Sequence, residues 1–273
     1  MRNLLQRSAT GGLFVVLVYG SLFAGSVTFL IFYLALLLTG LLEFYSHLEN
    51  EGLHIQKFAG LAASVILFFF LFGYASGIIS VKWLPVLIVL PPVMMIMELY
   101  RKNEKPFASL AGTLYGIIYI SVPFSLLNLL VFPDNSNNNH YEPGILAGLL
   151  ILIMLYDTVA FLVGVTIGRH RIFASVSPKK SWEGTIGGAL VVLTASFYMN
   201  MIFPLPGKIH WLVTGIIVVV FGLYGDLVES LFKRSLGIKD SGKLLPGHGG
   251  VLDRTDAWFL VIPVVWVYFN FIF

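Results

Sequence analysis

Residues 230–256 read SLFKRSLGIKDSGKLLPGHGGVLDRTD, and they are unlike the rest of the chain. They hold five of its 17 Lys and Arg residues: Lys233, Arg234, Lys239, Lys243 and Arg254. They also hold three of its 14 acids, Asp240, Asp253 and Asp256. A glycine-rich turn, Pro246-Gly247-His248-Gly249-Gly250, separates the basic part from the acidic part. Apolar runs of membrane-spanning length flank the stretch on both sides. A loop with this much fixed charge, held at a membrane surface, suits polyanion and metal handling better than packing.

The chain of 273 residues is 58% hydrophobic and 11% charged, whereas a soluble domain carries about 25% charged residues. So apolar a surface requires lipid as its solvent. The expected fold class is therefore all-α, a polytopic membrane protein. A spanning helix takes about 20 mostly apolar residues, and nine segments qualify as candidates: roughly 11–24, 26–42, 58–73, 78–97, 107–132, 143–168, 184–203, 209–229 and 257–273. The first two divide near Gly25. Arg2 and Arg7 before an apolar run also have the layout of a signal peptide, but the membrane pattern continues past that run almost without a break. The net charge of +3 is too small to imply a nucleic-acid partner. The absence of Cys excludes disulfides and thiolate metal sites.

Positive residues set the orientation. With nine spans and a cytoplasmic N-terminus, 15 of the 17 Lys and Arg residues fall inside, and only Lys82 and Lys208 fall outside. Loop 133–142, PDNSNNNHYE, carries no basic residue and suits the outer side. Loops 169–183 and 230–256 then share the cytoplasmic face. Residues 1–142 are expected to be supporting helices, and 143–273 to carry the chemistry.

Acids inside apolar runs mark the candidate site. Asp157 lies in ILIMLYDTVAFLVGVTIG, and Asp226 and Glu229 lie in IIVVVFGLYGDLVES. A charge near the bilayer centre costs at least about 2.5–3.5 kcal/mol on insertion scales, so a partner, a metal or water must offset it. Asp226, Ser230 and Lys233 or Arg234 recur on one helical face. A carboxylate one turn deep, a hydroxyl above it and two cations at the mouth suit a carboxylate-bound metal meeting phosphates from water. Mg²⁺ favours one or two carboxylates with phosphate and water oxygens. Asp256 stands just before the last apolar run and has the position of a helix N-cap. Asp253 has no such role to fill and is expected as the second metal carboxylate.

Loop 169–183 contains Ser177, Pro178, Lys179, Lys180 and Ser181, followed by Trp182, Glu183 and Gly184. A positive-inside anchor with an interfacial Trp accounts for Arg169, Arg171 and Lys179. Lys180 and Ser181 stand at the start of the next helix, where Ser181 is placed to cap it and where phosphate is attracted. His248 has the chemistry of a phosphate donor or proton shuttle. Gly249 and Gly250 let backbone N–H groups approach an anion closely.

These residues together resemble the signature of the phosphatidate cytidylyltransferase (CDP-diacylglycerol synthase) family. It appears here as Ser230, Lys233-Arg234, Lys239-Asp240, His248-Gly249-Gly250, Asp253-Arg254 and Asp256, without departure over its 27 positions. The run 177–184 and Asp157 resemble the family too. The likeness is read over about 150–273, and the N-terminal half shares only a series of spans. The resemblance implies an integral protein of the bacterial inner membrane with its site facing the cytoplasm. It implies CTP and phosphatidic acid as substrates, CDP-diacylglycerol and pyrophosphate as products, and Mg²⁺, alone or with a second metal ion. Asp226 and Asp253 would hold metal, supported by Asp256. Lys233, Arg234, Lys239 and Arg254 would bind triphosphate or phosphatidate, with His248 in the reaction centre. Lys180 and Ser181 would complete the phosphate cradle, with Ser230, Asp240, Gly249, Gly250 and Asp157 lining the substrates. Membrane lipid would surround the whole, and a homodimer is expected from the prevalence of two-fold assemblies.

Two other functions fit parts of the pattern. A CTP-dependent polyprenol or phytol kinase shares the membrane setting but leaves CDP rather than pyrophosphate. An ion-coupled transporter would use Asp157 and Asp226 at mid-membrane, but it would also require polar chemistry in both halves of the chain.

Overall fold

A computed structural model describes residues 2–133, 140–203, 208–238, 241–242 and 249–271, with side chains from Thr10 onward. It is almost entirely helical, and the chain forms two compact units. One comprises Met1–Tyr141 with Asp240–Arg254, the other Glu142–Lys239 with Thr255–Phe273.

In the first unit, α1 (Arg2–Phe23) and α2 (Ser26–Asn50) are divided at Gly25, whose φ of 128° suits only glycine. Helix α3 (Lys57–Ala75) follows. Pro85 then falls in a 3₁₀ stretch, Val81–Val89, which runs into α4 (Leu90–Leu99) through Pro91 and Pro92. Helix α5 (Pro106–Gly116) joins α6 (Val122–Leu130) through a π turn at Ile117–Ser121. Pro123 has no N–H to continue the α ladder there, and Val122 N–H reaches back to the Ile117 carbonyl instead. Buried aromatics of α2, α3 and α6, among them Phe29, Tyr33, Phe44, Phe68 and Phe124, form the core.

Lipid offers the backbone and polar side chains no partners, and several buried ones bond internally. Ser64 and Ser121 share a 2.7 Å hydroxyl contact. Tyr45 O–H donates to the Thr113 carbonyl at 2.8 Å. Gln56 Nε2 donates to Glu98 at 2.5 Å, and Arg101 pairs with the same carboxylate at 3.0 Å.

The second unit contains α7 (Gly144–Thr166), a hairpin of β1 (Arg171–Phe173) and β2 (Ser177–Ser181), α8 (Trp182–Met199) and α9 (Lys208–Ser235). The short α10 (Leu252–Thr255) straddles the division of the chain, and α11 (Trp258–Asn270) completes this unit. The hairpin pairs Arg171 with Ser181 and Phe173 with Ser177. It is the local departure from an all-helical chain, where the sequence reads as a plain loop. Pro178, which has no N–H to give a ladder, is tolerated because a two-stranded ribbon leaves an open edge.

Among the described residues, six helical stretches are long and apolar enough to cross a membrane: Ser26–Asn50, Lys57–Ala75, Val81–Leu99, Pro106–Leu130, Gly144–Thr166 and Lys208–Ser235. The apolar part of α1, Thr10–Phe23, is shorter.

Small residues let α7 and α8 pack backbone to backbone, as membrane helices do. A Cβ on Gly184 would run into the Ala160 carbonyl and Gly164. Because those obstacles are backbone, they cannot swing aside. Gly184→Ala is therefore expected to cost about 1–3 kcal/mol, seen as a lower melting temperature of the detergent-solubilised protein by tryptophan fluorescence. An unchanged melting temperature would show that the two helices are not held this closely.

Candidate active site

Within the second unit, α9 presents its polar residues in register. Ser230 Oγ donates to Asp226 Oδ1 at 3.3 Å, which fits the i, i+4 spacing. Asp226 Oδ2 lies 2.6 Å from Lys180 Nζ. Lys180 also donates to the Leu223 carbonyl at 3.3 Å, so β2 delivers its ammonium to the middle of α9. One turn on, buried Glu229 pairs with Lys233 at 2.5 Å. Arg234 Nε reaches the Val176 carbonyl at 3.5 Å.

Carboxylate oxygens of Asp226, Glu229 and Asp256 lie within 4.8 Å of one another. Gly225 permits this, because a Cβ there would strike the Asp256 carbonyl and Ala257. Asp256 does not act as a helix N-cap. The N-cap of α11 is Ala257, and Asp256 Oδ1 accepts the Ala257 N–H at 2.8 Å. Burial first, then the charges of Asp226, Asp157 and Glu229, push the Asp256 carboxyl well above the usual carboxylate range. A divalent cation would relieve that repulsion, and an all-oxygen donor set with carboxylates is what Mg²⁺ takes. The residues therefore fit a metal.

Next to the cluster is a cavity of about 540 Å³, within the range of small-molecule sites. Arg171, Lys179, Lys180, Asp157 and Asp226 line it, with Phe161 and Val165 among the apolar walls. Ser181 is buried and caps α8, its Oγ accepting the Gly184 N–H at 3.2 Å, as its position in the sequence leads one to expect.

The hairpin is tied to α8 by Glu183. This carboxylate accepts the backbone N–H groups of Arg169 and His170 and lies 2.6 Å from His170 Nδ1. The His170 side-chain bond, followed by the backbone bonds, lowers the Glu183 carboxyl to about 2. A depressed acid stabilises the fold above its unfolded value, 4.5, and loses that contribution as pH falls toward about 2. The melting-temperature difference between wild type and Glu183→Gln is therefore expected at pH 6, shrinking between pH 4.5 and 2. A difference independent of pH would mean that the carboxylate charge is not what ties the hairpin.

In the first unit, the end of the signature stretch is held by carboxylates. Asp253 Oδ2 accepts the N–H groups of Ser241 and Gly250, both at 2.9 Å. Gly249 has φ 85°, and a Cβ there would meet Asp253 Oδ2. A Cβ on Gly250 would meet the carboxylate of Glu43. The close approach these glycines permit is thus made here by the protein's own carboxylates. Arg254 is exposed at the end of the stretch. Lys239, Asp240 and His248 lie outside the described residues.

Sequence reasoning passed over Glu43 and His47, and named Glu229 among the acids of the apolar runs without giving it a role in the site. Glu43 Oε2 accepts the Leu252 N–H at 3.1 Å, and His47 Nε2 donates to the Ser241 carbonyl at 2.5 Å. The i, i+3 spacing of Asp226 and Glu229 is the signal that could have included Glu229.

Residues 5–272 match the cytidylyltransferase family, and the chain belongs to that family. Among curated proteins it is similar to three named phosphatidate cytidylyltransferase. That of Staphylococcus saprophyticus is 34% identical over 236 residues, covering 84% of this chain and 87% of the relative. That of Staphylococcus aureus is 32% identical over 270 residues, covering 95% and 96%. That of Bacillus subtilis is 30% identical over 275 residues, covering 97% of each. The likeness therefore extends through the N-terminal half and is not confined to residues 150–273.

Proposed function

We propose that this protein transfers the cytidylyl group of CTP to phosphatidic acid, giving CDP-diacylglycerol and pyrophosphate. The observation that carries this is the similarity to phosphatidate cytidylyltransferases over nearly the whole chain. A phosphatidate oxygen forms a bond to the α-phosphorus of CTP. The bond from that phosphorus to the bridging oxygen breaks, and pyrophosphate leaves with the electron pair. The attacking phosphate is already ionised near neutral pH, so the protein's task is to bring two anions together and offset their repulsion.

Asp226, with Glu229 and Asp256, would hold Mg²⁺, which when bound supplies positive charge against phosphate oxygens. Asp253 is proposed as a further ligand from its place in the motif. Lys180 hands over from Asp226 to phosphate as the substrates enter, with Arg171 and Lys179 beside it on the cavity wall. Lys233, Arg234, Lys239 and Arg254 are proposed to bind triphosphate or phosphatidate, with His248 as a donor. Ser230 orients Asp226, and Ser181 fixes the start of α8 beside Lys180.

The purified protein, given labelled CTP, phosphatidate and Mg²⁺, is expected to release pyrophosphate and form a cytidylylated lipid. Release of CDP with a phosphorylated lipid would identify a lipid kinase instead. Asp226→Asn is expected to lower turnover by about 10³-fold or more while melting normally. Normal turnover in that variant would remove Asp226 from the centre.

The finer topology belongs to the same proposal. Thr10–Phe23, α8 and α11 would bring the six long spans to nine, with the N-terminus and the site facing the cytoplasm of a bacterial inner membrane. Residues 143–273 would carry the catalysis, supported by 1–142, in a homodimer. Because the chain has no Cys, single cysteines can test the orientation. Glu142→Cys is expected to react with an impermeant maleimide on intact cells, and Arg171→Cys only after permeabilisation. The reverse pattern would invert the topology.

A further inference from the structure

We propose that Glu43 and His47, on the membrane helix α2, are positioning residues that fix the two ends of the signature loop. They are one helical turn apart and share a face. Glu43 Oε2 accepts the Leu252 N–H at 3.1 Å, and the Val251 N–H bonds to the same carboxylate. His47 Nε2 donates to the carbonyl of Ser241 at 2.5 Å. One side chain thus grips the strand of chain leaving the glycine turn, and the other grips the strand entering it. Asp253 Oδ2 closes the neck between them by accepting the Ser241 and Gly250 N–H groups.

The glycines fit this grip. A Cβ on Gly242 or on Gly250 would strike the Glu43 carboxylate, so only glycine lets α2 approach both strands. Gly40, one turn before Glu43, faces Val251 and Leu252 side chains, which extends the seat along α2. Glycine has no side chain to pack and loses much freedom when ordered. Hydrogen bonds from a rigid helix replace that packing. Asp253 and Arg254 follow directly on the gripped segment, so its position sets theirs. A shift of about 1 Å in such residues can cost about 100-fold in rate.

The inference rests on the proposed function only for its activity readout. The test uses the full-length protein in detergent, with Glu43→Ala, Glu43→Gln and His47→Ala. It measures kcat and KM for CTP together with amide exchange at Ser241, Gly250 and Leu252 by mass spectrometry. Glu43→Ala is expected to lower kcat/KM about 10- to 100-fold, mainly through kcat, and to speed exchange at Leu252 and Gly250. Glu43→Gln keeps an acceptor oxygen and is expected to recover most of both. Wild-type kcat/KM in Glu43→Ala, or unchanged exchange at those amides, overturns the proposal. If Glu43→Ala does not yield folded protein, His47→Ala decides in the same way, through turnover and exchange at Ser241. A wild type that forms no cytidylylated lipid overturns the proposed function instead and leaves the exchange data to decide the positioning role.

Discussion

A carboxylate among apolar helices persists only while positive charge stands against it, and for Asp226 that charge is Lys180. Much of the second unit serves this contact. The β1–β2 hairpin carries Lys180 inward, Ser181 fixes the start of α8 behind it, and Gly184 lets α8 lie against α7. The pair is only partly shielded, with side-chain exposures of 20% and 34%. Its contribution to stability is therefore modest. Its consequence is chemical. A lysine held against a carboxylate at a cavity wall can exchange that carboxylate for a phosphate without passing through an unpaired state.

The second counter-charge works differently. Glu229 and Lys233 are both largely buried. Removing one side of a buried ion pair costs about 3–5 kcal/mol in general. Glu229 with Asp226 and Asp256 leaves a local excess of negative charge, which adds to burial in raising the Asp256 carboxyl. Folding does not favour such an excess. It is explained if a cation belongs to the working state, where the same repulsion becomes binding energy.

How far the sequence could be read depended on whether a feature was local. The alignment of Asp226 with Ser230 follows from helical periodicity, and the Ser181 cap follows from its place before an apolar run. Both need only one helix to be right. The all-helical membrane class was equally plain, because 11% charge leaves lipid as the only adequate solvent. The hairpin was not legible, since RIF and SPKKS are short and unalternating, and their pairing is stabilised by Glu183 beyond β2. Glu43 was hidden for another reason. An isolated acid at the end of an apolar run looks like a solvated helix terminus, and its partners lie 209 residues away in number, at Leu252. The relationship through the N-terminal half was also hidden, because apolar helices can exchange Leu, Ile, Val and Phe without changing their pattern.

The carboxylates in and around the signature stretch therefore divide into two physical kinds. Asp226 and Asp256 lie against other acids, and with a single backbone N–H at Asp256 most of their charge remains available to a cation. Asp253 and Glu43 each receive more than one backbone N–H, so part of their charge is spent on fixing main chain. A carboxylate of the second kind can lose its charge and still order the loop if an acceptor oxygen remains, whereas one of the first kind cannot hold a metal without it. This difference in what an Asn or Gln replacement preserves separates positioning from binding more sharply than distance to the reacting atoms does.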